Sequence, residues 1–215
     1  CMDKYRSSIL VQSTTDLSIP NTKIVRLKDL QYELNKISLP IFLKPNKNGS
    51  SICSYIIKDL NDIEEILNEF YSHHQDEDEI LIQEYIENKI EVSCGCLEKK
   101  DHTFLQLPPI EIIPKNSKFF DYKSKYEKGA SIERIPAIDI SSKQRKRISE
   151  LTIEIHKILG CRLYSRSDFL VTKDEIYYLE TNTLPGMTKT SLIPQEAKAI
   201  GLDFKELISF FIDNS

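Results

Sequence analysis

Two short polar segments near the C-terminal end carry the side chains best suited to chemistry. Arg166 and Asp168 stand two residues apart, and Glu180 and Asn182 stand two residues apart further along the chain. Side chains two apart on a β-strand share one face of a sheet. The short polar segment at 172–175 is typical of a hairpin turn. The pattern therefore predicts a hairpin that gathers two carboxylates and an amide oxygen beside a guanidinium.

This group of side chains has two interpretations. Its hard oxygen atoms suit Mg²⁺, which in proteins takes one or two carboxylates and completes its shell with substrate phosphates and water. The adjacent guanidinium suits a phosphate or a developing oxyanion. An exposed hairpin with ordinary surface charges would carry the same residue types, so the pattern alone leaves both interpretations open.

A second segment, earlier in the chain, could bind phosphate. Lys44-Pro45 is followed by Gly49-Ser50-Ser51, and together they could offer an ammonium group and backbone N–H groups to an anion. The spacing differs from that of a P-loop, because the lysine precedes the glycine and no Gly-Lys-Ser or Gly-Lys-Thr opens a helix. By itself this segment is a weak indication of nucleotide binding.

The elements that must position these residues follow from hydrophobic periodicity and punctuation. Strands and helices alternate, but hairpins are present too, which predicts an α+β fold with mostly antiparallel sheets. Ser142 is expected to cap a helix that ends at Gly160, and residues 116–134 to form a long polar loop. The last helix should turn Phe204, Leu207, Ile208 and Phe211 inward. Strands are predicted at 23–27, 39–45, 79–86 and 90–97, and helices at 5–12, 27–37, 59–71 and 203–212.

Composition narrows the function classes. The chain has 215 residues with a net charge of −4, enough for one large or two small domains and without the basic excess of a nucleic-acid-binding protein. No apolar run reaches membrane-spanning length and no signal peptide is visible, so we expect no membrane partner and a cytoplasmic location. The cysteines form no CxxC pair and are interpreted as reduced thiols; they are Cys1, Cys53, Cys94, Cys96 and Cys161.

The order of the motifs resembles the D-alanine–D-alanine ligases, which belong to the ATP-grasp superfamily. The resemblance runs from the first residue to the C-terminus, and its last three motifs are the most specific. The motifs are Met2-Asp-Lys4-Tyr-Arg-Ser, Ile19-Pro-Asn-Thr, Lys44-Pro with Gly49-Ser-Ser, Gln83-Glu-Tyr-Ile, Glu91-Val-Ser-Cys-Gly, Asp121-Tyr-Lys-Ser-Lys125-Tyr126, Arg166-Ser-Asp168-Phe, Glu180-Thr-Asn182-Thr-Leu-Pro-Gly186-Met-Thr and Thr190-Ser191-Leu192.

The resemblance implies an ATP-grasp fold in which two α+β subdomains sandwich the nucleotide. Residues 1–89 would be the central subdomain with a phosphate lid, and residues 90–215 the C-terminal subdomain with the metal and substrate site. ATP and two Mg²⁺ ions, with Mn²⁺ as a possible substitute, are the implied cofactors. The implied nucleotide contacts are Lys4, Lys44 and Ser51 for the phosphates, Gln83, Glu84, Tyr85 and Ile86 for the adenine edge, and Glu91 for the ribose. The implied metal ligands are Asp168, Glu180 and Asn182.

The resemblance also implies a two-step reaction for peptidoglycan precursor synthesis. One D-alanine carboxylate takes the γ-phosphoryl group, and the amine of a second D-alanine attacks the acyl phosphate. Arg166 and the Gly186 N–H would stabilise the tetrahedral intermediate, and Lys125 would reach the transferred phosphate. Tyr126 with Ser50 would position the first substrate, and Ser191 with Leu192 would hold the second carboxylate.

The chain departs from the family pattern in several places. Ile52-Cys53 stands where a glycine is usual in the lid, Gln83 stands where glutamate is common, and one extra residue lies between Ile86 and Glu91. The family's N-terminal substrate domain is missing, which predicts a truncated form that binds ATP and Mg²⁺ but ligates poorly, and that lacks the region through which a homodimer would form. The alternatives are another ATP-grasp carboxylate–amine ligase and a non-catalytic nucleotide-binding module.

Overall fold

Two antiparallel sheets organise the chain, which a computed structural model describes over residues 1–47, 54–76, 78–114 and 131–215. The first sheet has the strand order β1-β4-β2-β3. The short β1 and β2 flank the central strand β4, so β4 is hydrogen-bonded along both edges. Its strands are β1 (Thr22–Arg26), β2 (Ile41–Pro45), β3 (Tyr55–Ile57) and β4 (Glu79–Glu84).

The second sheet holds the polar hairpin predicted from the sequence. Its order is β10-β9-β5-β7-β8, and β6 pairs with the far end of β5. The hairpin strands β9 and β10 are antiparallel and are joined by a turn in which the Thr172 N–H donates to the Glu175 carbonyl at 2.9 Å. Its strands are β5 (Ile90–Glu98), β6 (Phe104–Gln106), β7 (Ile110–Pro114), β8 (Ser131–Arg134), β9 (Tyr164–Val171) and β10 (Ile176–Asn182).

Helices pack against both sheets. The longest, α4, begins with a capping box in which the Gln144 N–H donates to Ser141 Oγ and the Ser141 N–H donates to the Gln144 side chain. The N-cap is therefore Ser141, and the prediction of Ser142 is wrong by one residue. The helices are α1 (Lys4–Thr14), α2 (Leu30–Leu34), α3 (Ile63–His73), α4 (Ser142–Ile158), α5 (Leu192–Ala199) and α6 (Phe204–Asn214), with 3₁₀ turns at Leu27–Asp29 and Leu60–Asp62.

Each sheet has its own hydrophobic core. In the first, Phe70 of α3 and Leu43 of β2 are fully buried among aliphatic side chains of the strands. In the second, Phe169 and Tyr178 from the hairpin pack beneath α4. Val11 of α1 also belongs to this second core, and the Tyr178 N–H donates to the Ser18 carbonyl at 2.9 Å. The N-terminal helix thus packs against the second sheet, although its sequence neighbours build the first.

Several boundary predictions need correction. Residues 131–134 of the expected long loop form β8, paired with β7, while 116–130 lie outside the described residues. The helix expected over 27–37 is a 3₁₀ turn followed by five residues of α2. In α6, Leu207 is buried but Ile208 is exposed, because only one face of this peripheral helix meets a neighbour. The expected α+β class with antiparallel sheets is confirmed.

None of the helices in the described ranges combines the length and apolarity needed to cross a membrane.

A buried polar network ties together the ends of β5, β9 and α4. Glu98, at the end of β5, accepts from the Leu163 N–H at 3.1 Å, lies 2.8 Å from His102 Nδ1 and lies 3.3 Å from His156 Nε2. Burial alone would raise the pKa of this carboxyl, but these hydrogen bonds outweigh it and hold the pKa at about 2. The folded state therefore favours the ionised carboxylate.

Acid should weaken this contribution in a defined window. Because the folded pKa lies below the ordinary value of 4.5, the stabilisation is present above pH 4.5 and is lost as pH falls toward about 2. We expect Glu98→Gln to lower the Tm at neutral pH, and the Tm difference from the parent to narrow between pH 4.5 and about 3. Thermal unfolding followed by circular dichroism measures this; a difference that stays constant through that window would contradict it.

A close contact between β5 and α5 depends on a glycine. The Gly95 N–H donates to the carboxylate of Glu196, whose side chain is fully buried, and a Cβ placed on Gly95 would lie 2.7 Å from Glu196 Oε2 and 2.9 Å from Ile193 Cγ1. Desolvation raises the pKa of Glu196 well above its usual value. Any side chain at position 95 must push α5 away from the sheet.

We expect Gly95→Ala to lower the free energy of unfolding by about 1–3 kcal/mol through overpacking, measured by urea denaturation. Gly160→Ala is the matched control, because nothing lies within 4 Å of its added Cβ and its cost comes only from a φ of 63°, about 1–2 kcal/mol. The steric account fails if Gly95→Ala is as stable as the parent.

Candidate functional site

A cleft of about 150 Å³ separates the two sheets and collects most of the predicted site residues that the structure describes. One wall comes from the first sheet and the other from β5, β9 and β10 of the second. Both walls contribute apolar and charged side chains. The lining residues used below are Lys4, Phe42, Lys44, Ile56, Gln83, Glu84, Tyr85, Ile86, Lys89, Glu91, Asp168, Leu170, Leu179 and Glu180.

The hairpin carries the predicted charged cluster, of which Asp168 and Glu180 line this cleft. Glu180 is the cross-strand partner of Asp168, and Asn182 is the partner of Arg166. Arg166 Nε and Nη2 each donate to one oxygen of Asp168 at 3.0 Å, a bidentate ion pair, and Asn182 Nδ2 lies 3.3 Å from Asp168 Oδ2. The four side chains therefore lie together, as their spacing predicted.

A β-bulge in β10 makes this convergence possible. Tyr178 pairs with Phe169, yet Glu180 pairs with Asp168, so Leu179 is an extra residue on its strand. Tyr178 is buried in the second core, while both Leu179 and Glu180 line the cleft. Regular alternation from the buried Tyr178 would have placed Glu180 in the core. The bulge instead turns Glu180 and Asn182 toward Asp168.

Electrostatics in this cluster favour full ionisation of Arg166. Burial opposes its charge, but Asp168 first and then Glu180 and Glu196 raise the pKa of the guanidinium above its ordinary value. Asp168, itself only 7% exposed, also accepts from Ser93 Oγ at 2.6 Å. The carboxylates outnumber the guanidinium, so the cluster as a whole favours a cation, and an anionic ligand would need that cation or the lysines of the cleft beside it.

The two predicted phosphate lysines enter the cleft from the first sheet and from α1. Lys44, on β2, is buried, and Lys4 Nζ donates to the Asn46 carbonyl at 3.3 Å. Asn46 was missed by sequence reasoning. Its fully buried amide accepts from the Tyr5 N–H at 2.9 Å and donates to both Asp3 and Glu79 at 3.0 Å, so it fixes the start of α1 against the end of β2. Its only sequence signal was its place after Lys44-Pro45.

The segment predicted to meet the adenine edge also lines the cleft. Gln83 is almost fully buried, and Ile86 is buried beside it. Lys89, which the sequence reasoning did not select, donates from Nζ to the Ile86 carbonyl at 2.7 Å and lies 3.5 Å from the centroid of the Tyr85 ring. Glu91 lines the same cleft from β5, where it pairs with Leu170.

The predicted second-substrate residues lie beyond the hairpin, outside the set that lines the cleft. Ser191 is the N-cap residue of α5, Leu192 is the first residue of that helix, and a Cβ placed on Gly186 would lie 3.1 Å from Ser191 Oγ. The structure thus brings Gly186 and Ser191 together. Ser50, Ser51, Lys125 and Tyr126 lie outside the described residues.

The donor set limits how a metal ion could be held. In the described ranges, no group of three or more His, Cys, Asp or Glu side chains is arranged to hold a metal ion. Asp168, Glu180 and Asn182 offer two carboxylates and an amide, which fits Mg²⁺ that takes its remaining ligands from water and substrate phosphates. The residues present therefore fit a cation that arrives with a phosphorylated ligand.

The sequence of the chain matches a known protein family. A family model described as the D-ala D-ala ligase C-terminus matches residues 13–213. The D-alanine–D-alanine ligase of Leptospira biflexa is 39% identical over 223 residues, covering 100% of this chain and 61% of the relative. That of Clostridium beijerinckii is 33% identical, covering 100% of this chain and 68% of the relative. The chain thus spans less than two thirds of the length of the Leptospira relatives.

Solved structures agree with the sequence relatives. The VanG D-Ala:D-Ser ligase from Enterococcus faecalis superposes with a TM-score of 0.81 at 31% identity, covering 99% of this chain and 61% of that one. The D-alanine–D-alanine ligase from Bacillus anthracis complexed with ATP gives 0.76 at 28% identity, covering 100% and 65%. The expected ATP-grasp fold is confirmed. With a family model matched over nearly its whole length, this chain belongs to the D-alanine–D-alanine ligase family, whose C-terminal part it matches.

Proposed function

We propose that this chain is the nucleotide-binding and catalytic portion of an ATP-dependent ligase that joins two D-alanine molecules for peptidoglycan precursor synthesis in the cytoplasm. The observation that carries the proposal is that Asp168 and Glu180 line a cleft that Lys4 and Lys44 also line, while Arg166 and Asn182 bind Asp168 on the same hairpin. The names of the relatives and the ATP complex of one of them support it.

The shape of the cleft supports a nucleotide lying between the two sheets. Phe42 and Ile56 from one wall and Leu170 and Leu179 from the other supply apolar surfaces for a planar base. The segment Gln83, Glu84, Tyr85 and Ile86 would meet the edge of the base, and Glu91 would accept from the ribose hydroxyls. The phosphates would then lie toward Lys4, Lys44 and the carboxylates of the hairpin.

Phosphate binding requires several positive charges. Lys4, Lys44 and, from the residues outside the described ranges, the Ser50-Ser51 lid would bind the phosphates. Asp168, Glu180 and Asn182 would hold two Mg²⁺ ions, or Mn²⁺ in their place, which when bound would neutralise the charge of the phosphates. Both carboxylate oxygens of Asp168 already accept hydrogen bonds from the Arg166 guanidinium. Asp168 would therefore have to share these oxygens between Arg166 and a cation.

The proposed reaction has two steps. A carboxylate oxygen of the first D-alanine attacks the γ-phosphorus, the bond from that phosphorus to the β,γ-bridging oxygen breaks, and ADP leaves. The amine nitrogen of the second D-alanine then attacks the acyl carbon, loses a proton, and inorganic phosphate leaves as the C–O bond breaks. Arg166 and the Gly186 N–H would stabilise the oxyanion between these events. Lys125 would hold the transferred phosphate, Tyr126 with Ser50 the first substrate, and Ser191 with Leu192 the second carboxylate.

One specific alternative is that a different amino acid, and not D-alanine, serves as the acceptor in the second step. The structural relative with a TM-score of 0.81 is a D-Ala:D-Ser ligase, so the same fold serves a different acceptor. The region around Ser191 and Leu192 would decide between acceptors. We also propose D-alanine as the substrate that receives the phosphoryl group, and a division into subdomains between residues 89 and 90.

Formation of ADP and phosphate tests the function directly. We expect ADP release from ATP and Mg²⁺ to depend on added D-alanine, and the dipeptide to be detected by mass spectrometry, if only at a low rate. A screen of D- and L-amino acids as acceptors would separate D-alanine from D-serine and from other carboxylate–amine pairs. Nucleotide binding without release of phosphate under any of these conditions would favour a non-catalytic binding module.

Removing one carboxylate of the hairpin should abolish cation-dependent nucleotide binding. We expect Asp168→Asn and, separately, Glu180→Gln to weaken Mg²⁺-dependent ATP binding by about 100-fold or more, since each loses a proposed ligand. Isothermal titration calorimetry with and without Mg²⁺ measures the effect. Glu180→Gln guards against loss of folding, because the bidentate ion pair of Arg166 with Asp168 stays intact.

The matched control for this experiment is Asp174→Asn. It removes one carboxylate from the exposed turn at the opposite end of the same hairpin, so binding should not change. Parent-like affinity in both Asp168→Asn and Glu180→Gln would refute the metal-binding role.

A further inference from the structure

One glutamine in the cleft is held in a way that determines which of its two side-chain atoms a ligand meets. Gln83 lies on the central strand β4, opposite Thr22 of β1 on one side and Phe42 of β2 on the other. Gln83 is only 5% exposed, and it lines the cleft. The oxygen and nitrogen of a glutamine amide have nearly the same shape, so only hydrogen bonding fixes their order.

Thr22 supplies the hydrogen bond that fixes this order. Thr22 Oγ1 lies 2.6 Å from the Pro20 carbonyl oxygen and 2.8 Å from the Gln83 amide nitrogen. A carbonyl oxygen only accepts, so the single hydroxyl hydrogen of Thr22 is donated to Pro20. Thr22 Oγ1 can then only accept from Gln83. The amide must turn Nε2 toward Thr22 and Oε1 away from it.

The carbonyl oxygen of Gln83 is therefore left for the cleft. Within the described ranges, no protein donor reaches Gln83 Oε1, whereas Nε2 is bound to Thr22. The sole fully buried side-chain polar atom without a partner in those ranges is His74 Nε2, so Gln83 Oε1 keeps access to the cleft. Water in the cleft can donate to this oxygen, so a ligand that displaces the water without supplying a donor loses free energy.

We propose that Thr22 is a positioning residue for nucleobase selectivity: by orienting the Gln83 amide, it makes the cleft accept a purine with an exocyclic amine and reject a purine with a carbonyl at the same place. This inference rests on the proposed nucleotide-binding function. The apolar side chains of Phe42, Ile56, Leu170 and Leu179 pack on the faces of a base and do not distinguish its polar edge. Gln83 Oε1 is the contact that does, because it accepts a hydrogen bond from an amine and opposes the lone pairs of a carbonyl oxygen.

The test compares nucleotides that differ at this position of the purine. With Mg²⁺ present, we expect the parent chain to bind ATP about 10-fold or more tightly than inosine triphosphate, which carries a carbonyl in place of the amine. Purine riboside triphosphate, which carries only hydrogen there, should fall between them. Calorimetric titration of the three nucleotides gives the ratios.

Variants at Thr22 test whether its hydroxyl oxygen orients the Gln83 amide or whether its side chain only packs against Gln83. Thr22→Val keeps the shape but removes the acceptor, so the Gln83 amide can flip, and the ratio of ATP to inosine triphosphate affinity should fall toward about one. Thr22→Ser restores the hydroxyl and should restore the ratio. Gln83→Leu should also lose the discrimination between ATP and inosine triphosphate. This variant keeps the inference testable if circular dichroism shows that Thr22→Val does not fold. Thr103→Val, which removes an exposed hydroxyl near β6, is the matched control and should leave the ratio unchanged.

The outcomes distinguish a failure of nucleobase selectivity from a failure of nucleotide binding. Equal affinity of the parent for ATP and inosine triphosphate overturns the selectivity inference while leaving nucleotide binding in place. An unchanged ratio in folded Thr22→Val also overturns it, because orientation by Thr22 is then not required. Binding of neither nucleotide overturns the proposed function itself, and the inference with it.

Discussion

Charge compensation around Arg166 is the constraint on which the site depends. The guanidinium is pinned to Asp168 by two hydrogen bonds of 3.0 Å, with Glu180 and Glu196 contributing to its electrostatic environment. Carboxylates gathered in a partly buried cleft repel one another unless a cation is present. The guanidinium offsets part of this repulsion from within the protein, so the cluster is preorganised for a ligand.

The rest of the fold can be understood as support for that preorganisation. β5 sits beside β9 and supplies Ser93 to Asp168, while Gly95 lets α5 approach closely enough to place Glu196 near the guanidinium. On the opposite wall, Asn46 connects α1 to β2 and so holds Lys4 beside Lys44 in the cleft. Positions that make no contact with a ligand thereby determine where the charged side chains can be.

Local pattern was enough to predict some of this arrangement. The alternation of Arg166 with Asp168 and the polar turn at 172–175 predicted the hairpin, because both are properties of neighbouring residues. Local pattern did not fix the start of α4, because Ser141 and Ser142 are both serines and either could be the N-cap. The hydrogen bonds between Ser141 and Gln144 identify Ser141 as the N-cap. Ile208 fits the apolar stripe of α6 but is exposed, since periodicity does not show whether a neighbouring element is present. The pairings of Asn46 with Tyr5 and of Thr22 with Gln83 join residues 41 and 61 positions apart, which no local pattern reveals.

The bulge at Leu179 divides β10 into two segments whose side-chain patterns are independent. Ile176 and Tyr178 point into the core, and Glu180 and Asn182 point to the opposite face, because the extra residue shifts the alternation between the two segments. Substitutions within either segment leave the orientation of the other unchanged. Loss or gain of a single residue between them would reverse the faces of Glu180 and Asn182 together. Among the sequence changes that this hairpin could undergo, insertions and deletions are therefore the ones that the site tolerates least.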